Sequence, residues 1–180
     1  HKDLVGYLND IQEELMDAIG QNQVDLAIMY DLGLDPELFA WRGLSAAKPY
    51  LIVPEGHRLA QSPSVPLSEI APEDYILFDA PRSRDYFLAI FAHHGISPRI
   101  VFRSASIESV RCSVANGLGV SLLAMRPLSN VTYDGGRVVP VEIEDNLPAM
   151  PIVAAYKADH VPGGLTLPFA DYCAKVFEEL

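Results

Sequence analysis

Two arginines flank a serine at the end of a predicted strand, in the segment formed by residues 79–85. Guanidinium groups form charge-assisted hydrogen bonds with carboxylates, and a serine at a helix start caps free backbone N–H groups. We therefore expect Ser83 to cap a helix that begins at Arg84. The segment predicts either contacts to a small acid from Asp79, Arg82, Ser83 and Arg84, or a capped helix with solvated arginines.

A second junction of the same kind occupies residues 100–123. Residues 100–102 are β-branched or aromatic and predict a strand, after which Ser106 is placed to cap a helix. Asn116-Gly117 supplies a left-handed stop. A helix N-terminus at the carboxyl end of a strand is where open α/β sheets bind small ligands. Ser104 and Ser106 are therefore predicted to contact a ligand, although capping alone accounts for Ser106.

Other chemistries find little support in the chain. His93 and His94 are adjacent, so they point about 100° apart on a helix and cannot easily bind one metal ion; we expect no metal and no cofactor. His57 is interpreted as structural. No Gly-x-Ser-x-Gly turn of a serine hydrolase occurs. The glycines at 117 and 119 end a predicted helix and start a predicted strand, whereas a dinucleotide-binding motif ends a strand and starts a helix.

Composition excludes several classes of partner. The 180 residues carry a formal net charge of −11 with no basic cluster, so the chain itself should repel nucleic acid and anionic membranes. No window predicts a membrane-spanning helix, and the first residues lack the apolar region of a signal peptide. Cys112 and Cys173 lie in predicted helices, which favours free thiols over a disulfide and indicates a cytoplasmic location.

Strands and helices alternate along the chain, which predicts an α/β fold with a parallel sheet. The first predicted helix carries apolar residues from Leu8 to Ile19 and stops near Gly20; no strand precedes it, so a front segment is expected to be missing. We predict an exposed loop over residues 63–66 and a helical turn over 67–70. The predicted strands are 24–30, 50–54, 75–78, 100–102, 120–123, 138–143 and 152–156. The later predicted helices are 84–94, a helix from residue 107 to the stop at Asn116-Gly117, and 165–180.

Four segments together resemble one protein family. Residues 14–28, ELMDAIGQNQVDLAI, resemble its L-x-x-G-x-x-D-x-A-I segment, and residues 50–60, YLIVPEGHRLA, resemble its strand followed by H-P-L-A, with Arg58 in place of the proline. Residues 65–70, VPLSEI, look like its short turn, and residues 114–123, VANGLGVSLL, resemble its V-x-x-G-x-G segment. In this order and spacing the segments resemble the effector-binding domain of LysR-type transcriptional regulators.

The resemblance implies a type 2 periplasmic-binding-protein-like fold, in which two Rossmann-like α/β lobes are joined by two crossover strands. Lobe I would comprise residues 1–54 and 152–180, without its amino-terminal strand and helix, and lobe II residues 55–151. A small effector would bind in the inter-lobe cleft. The full-length protein would be a homodimer or tetramer that binds DNA only through a helix-turn-helix domain absent from this chain.

The resemblance also places Tyr30 and Asp31, at the end of the lobe I strand, towards the cleft, although Tyr30 fits the core equally well. Arginines beside a helix N-terminus fit a small carboxylate, such as that of an organic acid, or a phosphate, and Tyr30 and Tyr86 leave an aromatic acid open. A periplasmic or surface solute-binding protein, which shares this fold, is the alternative function. An enzyme is the least favoured interpretation.

Overall fold

A computed structural model describes residues 12–159 and 164–178. The chain forms two compact units, one from the residues up to Ala47 together with those from Met150 onward, and the other over Lys48–Ala149. The lobes proposed from the sequence, 1–54 with 152–180 and 55–151, stay a prediction. Residues 50–54, which the sequence assigned to lobe I, pair on both sides with strands of the second unit.

In the first unit, β9 (Met150–Lys157) lies between β1 (Ala27–Tyr30) and β2 (Phe39–Ala47), and both pairings are antiparallel. The predicted parallel sheet is wrong for the strand predicted at residues 24–30 in this pairing, which is antiparallel. Burial along β1 alternates between buried and half-buried residues, the pattern of an antiparallel strand with one covered face. The parallel interpretation failed because β9 is supplied by a distant part of the chain.

Two helices belong to this first unit. The described part of α1 is Gln12–Gly20, which ends where the sequence predicted; the earlier residues of that predicted helix lie outside the described residues. The other helix, α4 (Thr166–Glu178), includes Pro168 in its first turn, where the missing N–H costs no helical hydrogen bond. On α4, Ala170 and Cys173 are buried against Leu44 and Ile152.

The second unit contains a four-stranded sheet. Its strands are β3 (Tyr50–Pro54), β4 (Ser64–Val65), β7 (Ser121–Leu123) and β8 (Val138–Ile143), and their order in the sheet is β4–β8–β3–β7. The strand β3 pairs antiparallel with both β7 and β8. The predicted loop at residues 63–66 is wrong at its centre, because Ser64 and Val65 pair in parallel with β8 and Val65 is buried. The predicted turn at Leu67–Ile70 is confirmed as a 3-10 helix.

The remaining strands and helices of this unit form a continuous β–α–β–α segment. It comprises β5 (Asp74–Phe78), α2 (Pro81–His93), β6 (Arg99–Ser104) and α3 (Ile107–Ala115), and the two strands are parallel. Val120 joins β5 at an isolated bridge to Tyr75. The predicted stop of α3 is confirmed, since Asn116 is its C-cap and Gly117 has a φ of 78°.

The start of α2 differs from the prediction. Ser83 does not cap the helix, because the helix begins at Pro81 with Ala80 as N-cap, and Ser83 lies within its first turn. Proline favours the first helical position, where its fixed φ fits and its missing N–H has no helical acceptor. This preference moves the helix start ahead of the serine.

No helix within residues 12–159 and 164–178 is long and apolar enough to cross a membrane. Both cysteines are free thiols, Cys112 half-buried and Cys173 buried. Burial raises the pKa of the Cys173 thiol, which favours its protonated form.

Candidate functional site

The carboxyl ends of β5 and β6 lie side by side in the second unit. Phe78 pairs with Ser104 in the parallel register, and one residue further the Asp79 N–H donates to the Ser104 carbonyl over 2.8 Å. Each strand then passes directly into a helix, α2 after β5 and α3 after β6. Two helix N-termini therefore begin close to adjacent strand ends, the geometry that open α/β sheets use to bind small ligands.

Asp79 lies between two guanidinium groups at this edge. Its Oδ1 is 3.6 Å from Arg84 Nη1, and its Oδ2 is 3.8 Å from Arg103 Nη1. Both separations are longer than a direct hydrogen bond. Oδ1 is buried and accepts no hydrogen bond from the described residues, although the Asp79 side chain as a whole is 27% exposed.

Arg84 also has a closer partner. Its Nε donates to Asp85 Oδ1 over 2.9 Å, and this hydrogen bond, with the charge of Asp85, raises the pKa of Arg84, so the guanidinium stays cationic. Arg82 and Ser83 are half-buried on the first turn of the same helix. Arg103, on the neighbouring strand, adds a further guanidinium group to this edge through its approach to Asp79.

The two predicted serines act first on the local backbone. The Ser106 Oγ accepts from the Ser109 N–H over 3.3 Å, so its predicted capping role is confirmed. The Ser104 Oγ accepts from the Ser106 N–H over 3.1 Å. Both hydroxyls use an oxygen lone pair in these bonds, which leaves the O–H proton of each able to donate to an acidic ligand.

A buried arginine anchors α3 to the loop that follows β7. Arg111 is buried, and its Nη1 donates to Glu108 Oε2 over 2.7 Å while its Nη2 donates to the Ser129 carbonyl over 2.6 Å. Glu108 Oε1 also accepts from the Tyr133 N–H over 2.7 Å. This network fixes the first turns of α3, and with them the position of Ser106.

The remaining two predicted residues lie in the first unit. Asp31 Oδ1 accepts from the Gly33 and Leu34 N–H groups over 3.3 and 3.1 Å, which is a turn-forming role. Tyr30 packs against the cluster that includes Leu26, and burial raises its pKa to about 12, so its phenol remains protonated at neutral pH. Contacts of either residue with an effector stay predictions.

The second unit thus brings together most of the predicted site. Asp79, Ser104 and Ser106 lie at or just after the two strand ends, and Arg82, Ser83 and Arg84 lie on the adjoining first turn of α2. Arg103 belongs to the same group and was missed by the sequence analysis. The available signal was its position immediately before Ser104, on a strand whose partner strand is followed directly by Asp79.

His57 and His94 have structural partners. His57 Nδ1 accepts from the Leu59 N–H over 3.2 Å and its Nε2 lies 3.3 Å from Glu73 Oε2, in agreement with a structural role. His94 Nδ1 lies 2.9 Å from the Ile90 carbonyl oxygen, and its Nε2 is 3.8 Å from Asp145 Oδ1. In the part of the chain that the structure describes, no three metal-ligating side chains cluster together.

Comparison with known structures identifies the fold. The crystal structure of HinK, a LysR family transcriptional regulator from Pseudomonas aeruginosa, superposes with a TM-score of 0.87 at 36% identity, over 92% of this chain and 57% of that one. The effector binding domain of QuiR in complex with shikimate superposes with a TM-score of 0.78 at 21% identity, over 93% of this chain and 78% of that domain. The chain therefore has the fold of LysR-type effector-binding domains, as the resemblance implied.

The family is established by the sequence as well. The model of the LysR substrate binding domain matches residues 8–178, so the chain belongs to this family. The HTH-type transcriptional regulator CatR from Pseudomonas putida is 37% identical over 101 residues, which are 50% of this chain and 35% of that protein. The match thus spans about a third of the length of that curated relative.

Proposed function

We propose that this chain is the ligand-sensing part of a LysR-type transcriptional regulator and that it binds a small organic acid at the carboxyl ends of β5 and β6. The observation that carries the proposal is that Arg84 and Arg103 approach Asp79 at the edge that also holds Ser104 and Ser106, with Arg82 on the adjoining first turn of α2. Guanidinium groups and hydroxyls that donate hydrogen bonds complement a carboxylate. The shikimate held by the QuiR domain, itself a carboxylic acid, supports this class of effector.

The chemistry required is binding rather than catalysis. The proposed site holds donors and charges, and the relatives are transcriptional regulators. An effector would act by binding two arrangements of the regulator with different affinity and so shifting the population between them. In the full-length protein this shift would act on DNA through a helix-turn-helix domain, within a homodimer or tetramer in the cytoplasm.

A thermal-shift screen of small organic acids tests the proposal, because a ligand selective for the folded state raises its melting temperature. With an acid found in this way, we expect Arg82→Ala to lose a charge-assisted hydrogen bond worth roughly 1.5–3 kcal/mol. Affinity measured by calorimetric titration should fall about ten- to a hundredfold, since 1.4 kcal/mol corresponds to tenfold.

The matched control is Arg137→Ala, which removes an exposed guanidinium from the turn before β8. It should leave the affinity unchanged. Because Arg82 is half-buried, its replacement can affect stability. The melting temperature of each variant without ligand is therefore measured first, and the affinities are compared at a temperature at which both variants are folded. Equal affinities of parent and Arg82→Ala, or equal losses in both variants, would refute the assignment of the site.

A further inference from the structure

Asp79 introduces a negative charge where the proposed function requires an acid to bind. It follows β5 directly, and the Arg84 and Arg103 guanidinium groups approach its two oxygens only to 3.6 and 3.8 Å. A carboxylate bound to those arginines would therefore lie next to the Asp79 carboxylate. Two like charges at that separation repel each other, so a simple acid binds with a penalty unless the ligand compensates for it.

The hydrogen bonding of Asp79 indicates what the compensation is. Its buried Oδ1 accepts no hydrogen bond from the described residues, and both ion pairs exceed hydrogen-bond length. Buried carboxylate oxygens are stabilised by donors. The Asp79 side chain is 27% exposed, so a ligand reaches the exposed part of this carboxylate rather than Oδ1. A ligand that brings an O–H or N–H group there supplies a donor to the carboxylate.

The spacing suits a ligand that carries this donor close to its carboxylate. The guanidinium nitrogens and the Asp79 oxygens are less than 4 Å apart, so one small ligand can contact an arginine and Asp79 through groups on neighbouring atoms. In an organic acid this corresponds to a carboxylate and a substituent on the adjacent carbon.

We propose that Asp79 is a specificity-determining residue that selects 2-hydroxy or 2-amino carboxylic acids over acids without a donor at that position. The inference rests on the proposed function and refines it. The arginines hold the ligand carboxylate, while Asp79 accepts from the neighbouring hydroxyl or ammonium group. The same carboxylate weakens the binding of acids that carry only hydrogen at carbon 2, because they bring a negative charge and no donor.

The test uses two sets of acids with identical skeletons. One set is 3-phenylpropanoate, 3-phenyllactate and phenylalanine, and the other is succinate, malate and aspartate; each set varies only hydrogen, hydroxyl or ammonium at carbon 2. Binding to the 180-residue chain is measured by calorimetric titration for the parent, for Asp79→Asn and for Asp85→Asn. The second variant is the matched control, since Asp85 also pairs with Arg84 and its removal changes the net charge equally.

In at least one set, the parent and Asp85→Asn should prefer the hydroxyl or ammonium member over the unsubstituted acid by tenfold or more, which is about 1.4 kcal/mol. Relative to the parent, Asp79→Asn should bind the ammonium member at least tenfold more weakly and the unsubstituted acid more tightly. Opposite changes for two ligands of one skeleton cannot come from a general loss of folding.

Three outcomes overturn the proposal. One is a parent that binds no substituted member better than its unsubstituted acid, which includes the absence of binding by both sets. A second is an unchanged preference in Asp79→Asn, and a third is an equal loss of preference in Asp85→Asn. In each case the proposed function stands if an acid from the wider screen binds with an affinity that depends on Arg82. If no acid binds, the proposed function fails together with the inference.

Discussion

Replacement of Arg111 by methionine tests the argument that a buried ion pair fixes the start of α3. Methionine keeps an unbranched apolar side chain but leaves Glu108 Oε2 and the Ser129 carbonyl without the donors that now lie 2.7 and 2.6 Å away. The side-chain exposures are 7% for Arg111 and 21% for Glu108, so water can replace little of what is lost.

Removal of one partner from a buried pair costs about 3–5 kcal/mol, because the other charge stays buried without compensation. The lower end applies here, since Glu108 keeps the hydrogen bond from the Tyr133 N–H. We therefore expect Arg111→Met to reduce the free energy of unfolding by about 3 kcal/mol. For a chain of this length that corresponds to a decrease of roughly 6–12 °C in the melting temperature.

Urea and thermal unfolding followed by circular dichroism measure this difference. Arg99→Met is the control, because Arg99 pairs with Asp74 over 2.8 Å at a surface site where both side chains are well exposed, 66% and 41%. Such pairs contribute about 0–1 kcal/mol. A loss in Arg111→Met that does not exceed the loss in Arg99→Met would refute the reasoning that burial makes the first pair important.

Three further predictions concern packing, pH and partners. Gly119→Ala should destabilise the fold by about 1–3 kcal/mol in urea unfolding, because the new Cβ would lie 2.9 Å from the carbonyl carbon of Asp74 and closer still to its oxygen. Hydrogen bonds from Thr132 and then from Asn116 lower the pKa of Asp134 from 3.8 to about 2. Since the folded-state pKa is the lower one, this stabilisation is present above pH 3.8 and lost as pH falls through about 2, so the melting temperatures of Asp134→Asn and the parent should converge over that interval. The isolated chain, with its net charge of −11, should form no complex with DNA in mobility-shift assays at low salt, and a tight sequence-specific complex would contradict this expectation.

Local signals were sufficient to predict the elements around the site. The strand at Asp74–Phe78 and the cap at Ser106 each depend on residues that are neighbours in sequence, and the stop at Gly117 needs only one residue with positive φ. The start of α2 shows where such signals compete. Pro81 and Ser83 are both acceptable near a helix start, and the sequence alone did not indicate that the proline decides it.

Features that depend on distant parts of the chain were not predictable in the same way. The strand β2 has no alternating pattern and contains a bulge between Gly43 and Ser45, so its extended form depends on pairing with β9. The contact of Arg103 with Asp79 depends on the parallel register of β5 and β6. The burial of Arg111 depends on carbonyl acceptors in the loop after β7.

The proposed contacts of the second unit all lie within residues 79–106, on one uninterrupted β–α–β–α segment. The neighbouring sheet is assembled from residues that are distant in sequence, since Tyr50 near the start of the unit pairs with Glu142 near its end. Ligand preference can therefore diverge between related regulators through changes in one short stretch of the gene, while the long-range strand pairing is left intact. Exchange of this stretch between relatives is accordingly a direct route to sensors with new chemical inputs.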